Sequence, residues 1–162
     1  MLPIRKILHP TDFSDRSRAA FEMACALARD YAAELVMVHV AAPAPIFAPD
    51  GIAVAGPTEE PYDARVKLAA VRPDDPRVKF SHHLVEGDAA DQILKVARAE
   101  GVDLIVLGTH GHTGVARLLM GSVAESVLRK APCPVLTVRS PFPAEPKPAE
   151  DITAAGAPGT AR

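Results

Sequence analysis

With 162 residues, the chain is long enough for one domain with a buried core and short for two. Its 48% hydrophobic and 23% charged residues and its formal net charge of −2 match a soluble globular protein. They supply no electrostatic reason for a nucleic-acid or membrane-surface partner. No apolar run approaches the roughly 18 residues of a membrane span. Aromatic content of 4%, with no Trp, weakens any single-stranded nucleic-acid reading, because such sites stack bases on aromatic rings. The opening MLPIRKILHPTDF breaks its apolar run at Arg5, Lys6 and Pro10, so it reads as a first strand and not as a secretory signal. Cys25 and Cys133 are far apart in apolar settings, which reads as two free thiols in a reducing, cytoplasmic compartment.

Strand-like and helix-like stretches then alternate. Residues 4–9 (IRKILH) form a first strand. From Ser14, a suitable N-cap, Ala20, Phe21, Ala24, Leu27, Ala28 and Tyr31 recur every three or four residues on one helical face. Residues 34–40 (ELVMVHV) are apolar almost throughout, as a strand covered on both faces requires. Residues 41–57 carry four prolines and two glycines and read as a loop; 58–71 read as a helix. After RPDDP, residues 77–85 form a third strand, on which His82 and His83 point to opposite faces. Asp88 caps a helix over 89–100 that ends at Gly101. A buried strand at 102–107 precedes a glycine-rich segment, a helix over about 122–130 and a last strand at 134–139. Strands joined through helix-length connections pair in parallel by right-handed crossovers. The expected architecture is therefore α/β, a three-layer doubly wound sheet, with residues 1–140 as the domain and 141–162 as a disordered Pro/Ala-rich tail.

Two segments carry chemistry. The first, Gly108 to Glu125 (GTHGHTGVARLLMGSVAE), places glycines after a buried strand and ends in Gly121-Ser122 at a helix start. Glycine lets backbone amides approach a ligand, and a helix N-terminus offers unpaired amides with partial positive charge. Together they form a phosphate cradle that needs no Lys or Arg. The same pattern also occurs in α/β proteins that bind nothing there, and Ser122 with Glu125 fits a capping box. The second segment, His9-Pro10-Thr11-Asp12-Phe13, follows the first strand. Asp12 suits either a base amino group or ribose hydroxyl, or the capping of the first helix. If strands one and four pair, both loops meet where the sheet order reverses, the crevice in which open α/β sheets bind ligands.

Enzyme signatures are missing. No Gly-Lys-[Ser/Thr] supplies a phosphate-binding lysine, no G-x-G-x-x-G follows the first strand, and no nucleophile elbow is present. His110 and His112 are close in sequence, but no Cys or carboxylate cluster accompanies them as a metal set would require.

Gly108-x2-Gly111-x9-Gly121-Ser122 resembles the G-x2-G-x9-G-[ST] nucleotide motif of the universal stress protein family. KILHPTDFS, ELVMVHV and APCPVLTV are similar to that family's first, second and last strands, so the resemblance spans residues 4–139. It implies a five-stranded parallel sheet in order 3-2-1-4-5, of the adenine nucleotide alpha hydrolase-like type. It further implies an ATP-binding regulatory protein of the stress response and not a dedicated catalyst. The alternatives are a dimeric interaction module with an empty crevice, or a slow ATP hydrolase. Carried over position by position, Pro10, Thr11, Asp12 and the backbone of Val40 meet the adenosine end and Gly108 the ribose. His110, Gly111, Gly121, Ser122 and Val123 fall at the phosphates, through which Mg²⁺ or Mn²⁺ would be held. The resemblance also implies a homodimer through the edge strand Val135–Val138. The protein partner is not legible.

Overall fold

The computed structural model describes residues 3–41, 61–109 and 121–139. Five strands, β1 (Lys6–Pro10), β2 (Glu34–Ala41), β3 (Phe80–Glu86), β4 (Leu104–Gly108) and β5 (Val135–Val138), form one parallel sheet in the order β3-β2-β1-β4-β5. Helices α1 (Asp15–Tyr31), α2 (Pro61–Ala70), α3 (Ala89–Ala99) and α4 (Ser122–Lys130) connect them. The expected fold class and strand order are both present. Part of the expected 41–57 loop, the start of the expected 58–71 helix and the expected tail fall outside the described residues.

The sheet separates two cores. On one face Ile7, Leu35, Met37 and Val106 pack against the alanine stripe of α1 (Ala19, Ala20, Ala24, Ala28) and Leu68 of α2. On the other, Leu8, Val36, Val38 and Ile105 pack against Ile93, Leu94 and Ala97 of α3 and Ala124 and Val127 of α4. Alternation along β1 and β2 therefore feeds both cores, which is why these strands read as continuous apolar runs. The small side chains of α1 let it lie close to β1 and β4. His82 and His83 do diverge as a strand demands: His82 Nε2 lies 2.8 Å from the Val71 carbonyl, and His83 Nε2 lies 3.3 Å from Glu100. Cys25 and Cys133 are free.

At the amino-terminal end of the sheet Asp103 accepts the amides of Arg5 and Lys6, while Lys6 Nζ reaches Glu100 at 2.9 Å and Glu34 at 3.8 Å. These bonds fasten the entry of β1 to the α3–β4 turn. Strand β3 begins three residues later than the apolar pattern predicts, because Arg77 is engaged with Asp75 in the preceding turn and only Phe80 onwards pairs with β2.

Helix ends follow their local chemistry. Ser14 caps α1 by accepting the Ser17 amide, and Asp88 caps α3 by accepting the Asp91 amide. Helix α1 closes on Ala32 at φ 51°, a left-handed conformation that a β-carbon disfavours, whereas Gly101 occupies φ 62° after α3 without that penalty. The two sites should respond in opposite directions. Ala32→Gly should stabilise the protein by up to about 1 kcal/mol, and Gly101→Ala should destabilise it by about the same amount. Urea unfolding midpoints of the two variants test this; shifts of the same sign would contradict it.

Candidate functional site

Strand β1 pairs with β4, Ile7 opposite Leu104 and Leu8 opposite Ile105. Their carboxyl ends therefore release the Pro10–Ser14 turn and the Gly108–Thr109 segment side by side. Gly121 returns beside them: its amide donates to the Thr109 carbonyl at 2.8 Å, and the Thr109 amide donates to Val138 at 3.1 Å. The result is a crevice at the carboxyl end of the sheet. It is lined by Pro10, Thr11, Asp12, Gly108, Gly121, Ser122 and Val123, with Ser17, Ala89, Ile93, Leu107, Thr109 and Ala124 completing its walls. Seven of the ten site residues expected from the sequence thus stand together.

The other three are Val40, His110 and Gly111. Val40 sits near the carboxyl end of β2, the strand next to β1, on the same end of the sheet but outside the crevice lining. His110 and Gly111 lie outside the described residues.

The start of α4 differs from the sequence expectation. Gly121 holds the N-cap position with φ −58° and ψ 147°, and no side chain caps the helix. Ser122 is the first helical residue, so the capping box of Ser122 with Glu125 does not form. The register explains why. Glu125 lies one residue too far along, its carboxylate pairs with Arg129 at 2.6 Å, and the Gly121 amide is already held by Thr109. The first amide to bond within the helix is that of Glu125, to the Gly121 carbonyl at 2.9 Å. The amides of Ser122, Val123 and Ala124 therefore head a helix that opens on the crevice, where an anion would complete them. No Lys or Arg is among the described lining residues, and the backbone dipoles at the start of α4 offer an attraction for negative charge there.

Asp12 is half-buried beside these amides. Its Oδ1 accepts the Ser14 amide at 3.1 Å and the Ser14 hydroxyl at 2.6 Å. The two readings of Asp12, ligand contact and helix capping, are thus compatible: it braces the Ser14 cap while also lining the crevice. Thr11 below it is tied at every polar atom. Its amide donates to the Val38 carbonyl at 2.9 Å, and its carbonyl accepts from His39 Nδ1 at 2.8 Å. Its Oγ1 accepts the Phe13 amide and the Ser17 hydroxyl, both at 3.1 Å.

Ser17, His9 and His39 were not legible as site residues. A polar residue at the head of the apolar stripe Ser17, Ala20, Ala24, Ala28 was the available signal. His9 is fully buried; its Nδ1 donates to the Val106 carbonyl at 3.0 Å, and Nε2 faces Ser17 Oγ at 3.5 Å. Burial lowers its pKa to about 4, partly opposed by the Val106 bond and the nearby Asp12.

Among the described residues no three His, Cys, Asp or Glu side chains converge as a metal site would need, and no helix is long and apolar enough to cross a membrane.

Comparison with known proteins agrees with this fold. The model of the universal stress protein family matches residues 3–139. A universal stress protein of Methanocaldococcus jannaschii is 35% identical over 144 residues, covering 85% of this chain and 83% of its own. The solved structure of the protein MJ0577 of that organism superposes with a TM-score of 0.65 at 29% identity, covering 85% of this chain and 97% of the other. A universal stress protein of Archaeoglobus fulgidus, solved in complex with dAMP, shares the fold with a TM-score of 0.59 at 22% identity, covering 85% and 98%.

The buried imidazole makes stability depend on pH. In the folded state His9 stays neutral down to about 4, whereas in the unfolded chain it takes a proton near 6.5. Between those values the unfolded state binds more protons, so stability falls as pH drops from 6.5 to about 4. The expected loss is on the order of 3 kcal/mol. Urea midpoints of wild type and His9→Gln at pH 7 and pH 4.5 read this directly; an equal pH dependence in both would contradict it.

Proposed function

This chain belongs to the universal stress protein family, and from that premise we propose that it is a regulatory protein of the stress response that binds ATP in the β1–β4 crevice. The observation that carries the proposal is the convergence of the Pro10–Asp12 turn, Gly108 and the side-chain-uncapped start of α4 around one space. Backbone amides there suit phosphate, and the Asp12 carboxylate suits the hydroxyls or amino group of an adenosine. The dAMP complex of the Archaeoglobus fulgidus relative supports an adenine nucleotide as the ligand class.

In this assignment Asp12 and the backbone of Val40 take the adenosine end and Gly108 the ribose. His110, Gly111, Gly121, Ser122 and Val123 take the phosphates. Mg²⁺ or Mn²⁺ enters with the nucleotide, bound mainly by phosphate oxygens, because Asp12 is the sole carboxylate of the described lining. That carboxylate is engaged by Ser14, so among the described lining residues no carboxylate stands poised as a general base, which supports a binding role. Strand β5 is an edge of the sheet, with Leu136 partly exposed on it. Pairing of Val135–Val138 with a second copy would cover it. The free thiols of Cys25 and Cys133 support a cytoplasmic location.

Thermal unfolding of the nucleotide-stripped protein tests the assignment. ATP with Mg²⁺ at about a hundred times its Kd should add roughly 2.7 kcal/mol, several degrees of Tm, while GTP and NAD should add less. Gly121→Val should abolish the ATP shift by placing a side chain where phosphate must approach. Sedimentation of the same samples should show twice the chain mass. Absence of a shift with every nucleotide, or an undiminished shift in Gly121→Val, would refute the site, and a monomer would refute the pairing.

A further inference from the structure

We propose that Ser17, backed by His9, is a positioning residue for the nucleotide: it holds Thr11 so that the Asp12 carboxylate meets the adenosine end of the ligand. The proposal rests on the reading of the crevice as an adenine-nucleotide site and adds to it a support that the motif does not contain.

The geometry runs from the sheet to the ligand. His9 is completely buried on the α1 face of β1, and its Nδ1–H is spent on the Val106 carbonyl of β4. That bond fixes the tautomer and sets Nε2 3.5 Å from Ser17 Oγ, whose one proton goes to Thr11 Oγ1. Ser17 is 6% exposed, within 3.1 Å of Thr11 Oγ1, and reaches the crevice wall. Thr11 Oγ1 in turn accepts the Phe13 amide, so the two residues flanking Asp12 are joined across it.

Such bracing is needed because the turn opposes its own backbone preference. Phe13 has φ 62°, a left-handed conformation that costs a residue with a β-carbon about 1–2 kcal/mol. A residue held there persists only when its surroundings over-determine it. Here the Phe13 ring packs on His39 with centroids 4.3 Å apart, and Thr11 is tied from β2 through Val38 and His39. Ser17 supplies the tie from α1. An alanine would continue the Ala20, Ala24, Ala28 stripe and bury no hydroxyl. A serine there, placed between His9 Nε2 and Thr11 Oγ1, is explained by what it holds.

A double-mutant cycle separates positioning from plain stability. Calorimetric Kd values for ATP and AMP are measured at neutral pH on wild type, Ser17→Ala, Asp12→Asn and the double variant, each shown by its thermal unfolding to be folded. Ser17→Ala should weaken binding about tenfold, the scale of one lost hydrogen bond. The loss should be equal for AMP and ATP, because it acts at the adenosine end. It should shrink below about twofold in the Asp12→Asn background, where the carboxylate that Thr11 positions is gone. Ser17→Thr should restore binding, and Thr11→Val, which removes the acceptor while keeping the shape, should reproduce the loss should Ser17→Ala not fold. Wild-type affinity in Ser17→Ala and Thr11→Val, or an undiminished loss in the Asp12→Asn background, would overturn the proposal. A wild type that binds neither nucleotide would overturn the reading of the crevice itself, a separate result read from a separate sample.

Discussion

Pairing of β1 on both of its edges is the constraint from which the rest of the molecule follows. The strand has β2 on one side and β4 on the other, and both of its faces are covered by helices. The chain can leave such a strand only at its carboxyl end, and there it meets the exit of β4. Two loops distant in sequence, Pro10–Ser14 and Gly108–Thr109, are thereby brought to one place, at the switch point of the sheet. Helix α4 returns to the same place because Gly121 is tied to Thr109. The candidate site is thus a product of topology, and its donors are backbone amides.

That origin shapes what the site can discriminate. Backbone amides at a helix start recognise phosphate geometry and charge through the helix dipole, and no Lys or Arg is among the described lining residues. In the proposed assignment discrimination among nucleosides comes from the other end, where Asp12 is the one acidic side chain of the described lining. The buried polar groups gather at that end. Phe13 sits at positive φ, and His9, Ser17, Thr11 and His39 are buried polar residues around it. Among the described residues no buried side-chain nitrogen or oxygen lacks a hydrogen-bond partner. A satisfied polar network of this kind trades some apolar packing for a single defined geometry.

Much of this was legible before any coordinates. The apolar runs of β1, β2 and β4 announced strands covered on both faces, and helix-length connections between them implied parallel pairing. Ser14, Asp88 and Gly101 marked helix ends by local chemistry, and all three act there. The errors have equally local causes. Ser122 with Glu125 satisfies the pattern of a capping box, but the N-cap is Gly121, and Arg129 one turn further takes the glutamate. The apolar pattern cannot locate the first paired residue of β3, which depends on the Asp75–Arg77 turn before it. Ser17 and the two buried histidines stayed hidden because their role lies in contacts across elements: His9 with β4, His39 with the Thr11 carbonyl, Ser17 with both loop and strand. Spacing along one helix or strand carries no trace of such bonds.

The nucleotide is proposed to sit where β1, β4 and α4 converge. Backbone amide shifts followed by NMR during titration with ATP and Mg²⁺ test that placement. Saturable shifts should concentrate at Thr11, Asp12, Gly108 and Gly121 to Ala124, with the β3 edge from Phe80 to Ser81 unmoved. Saturable shifts clustered elsewhere, with those amides unchanged, would put the nucleotide at a different place on this protein and refute the crevice as its site.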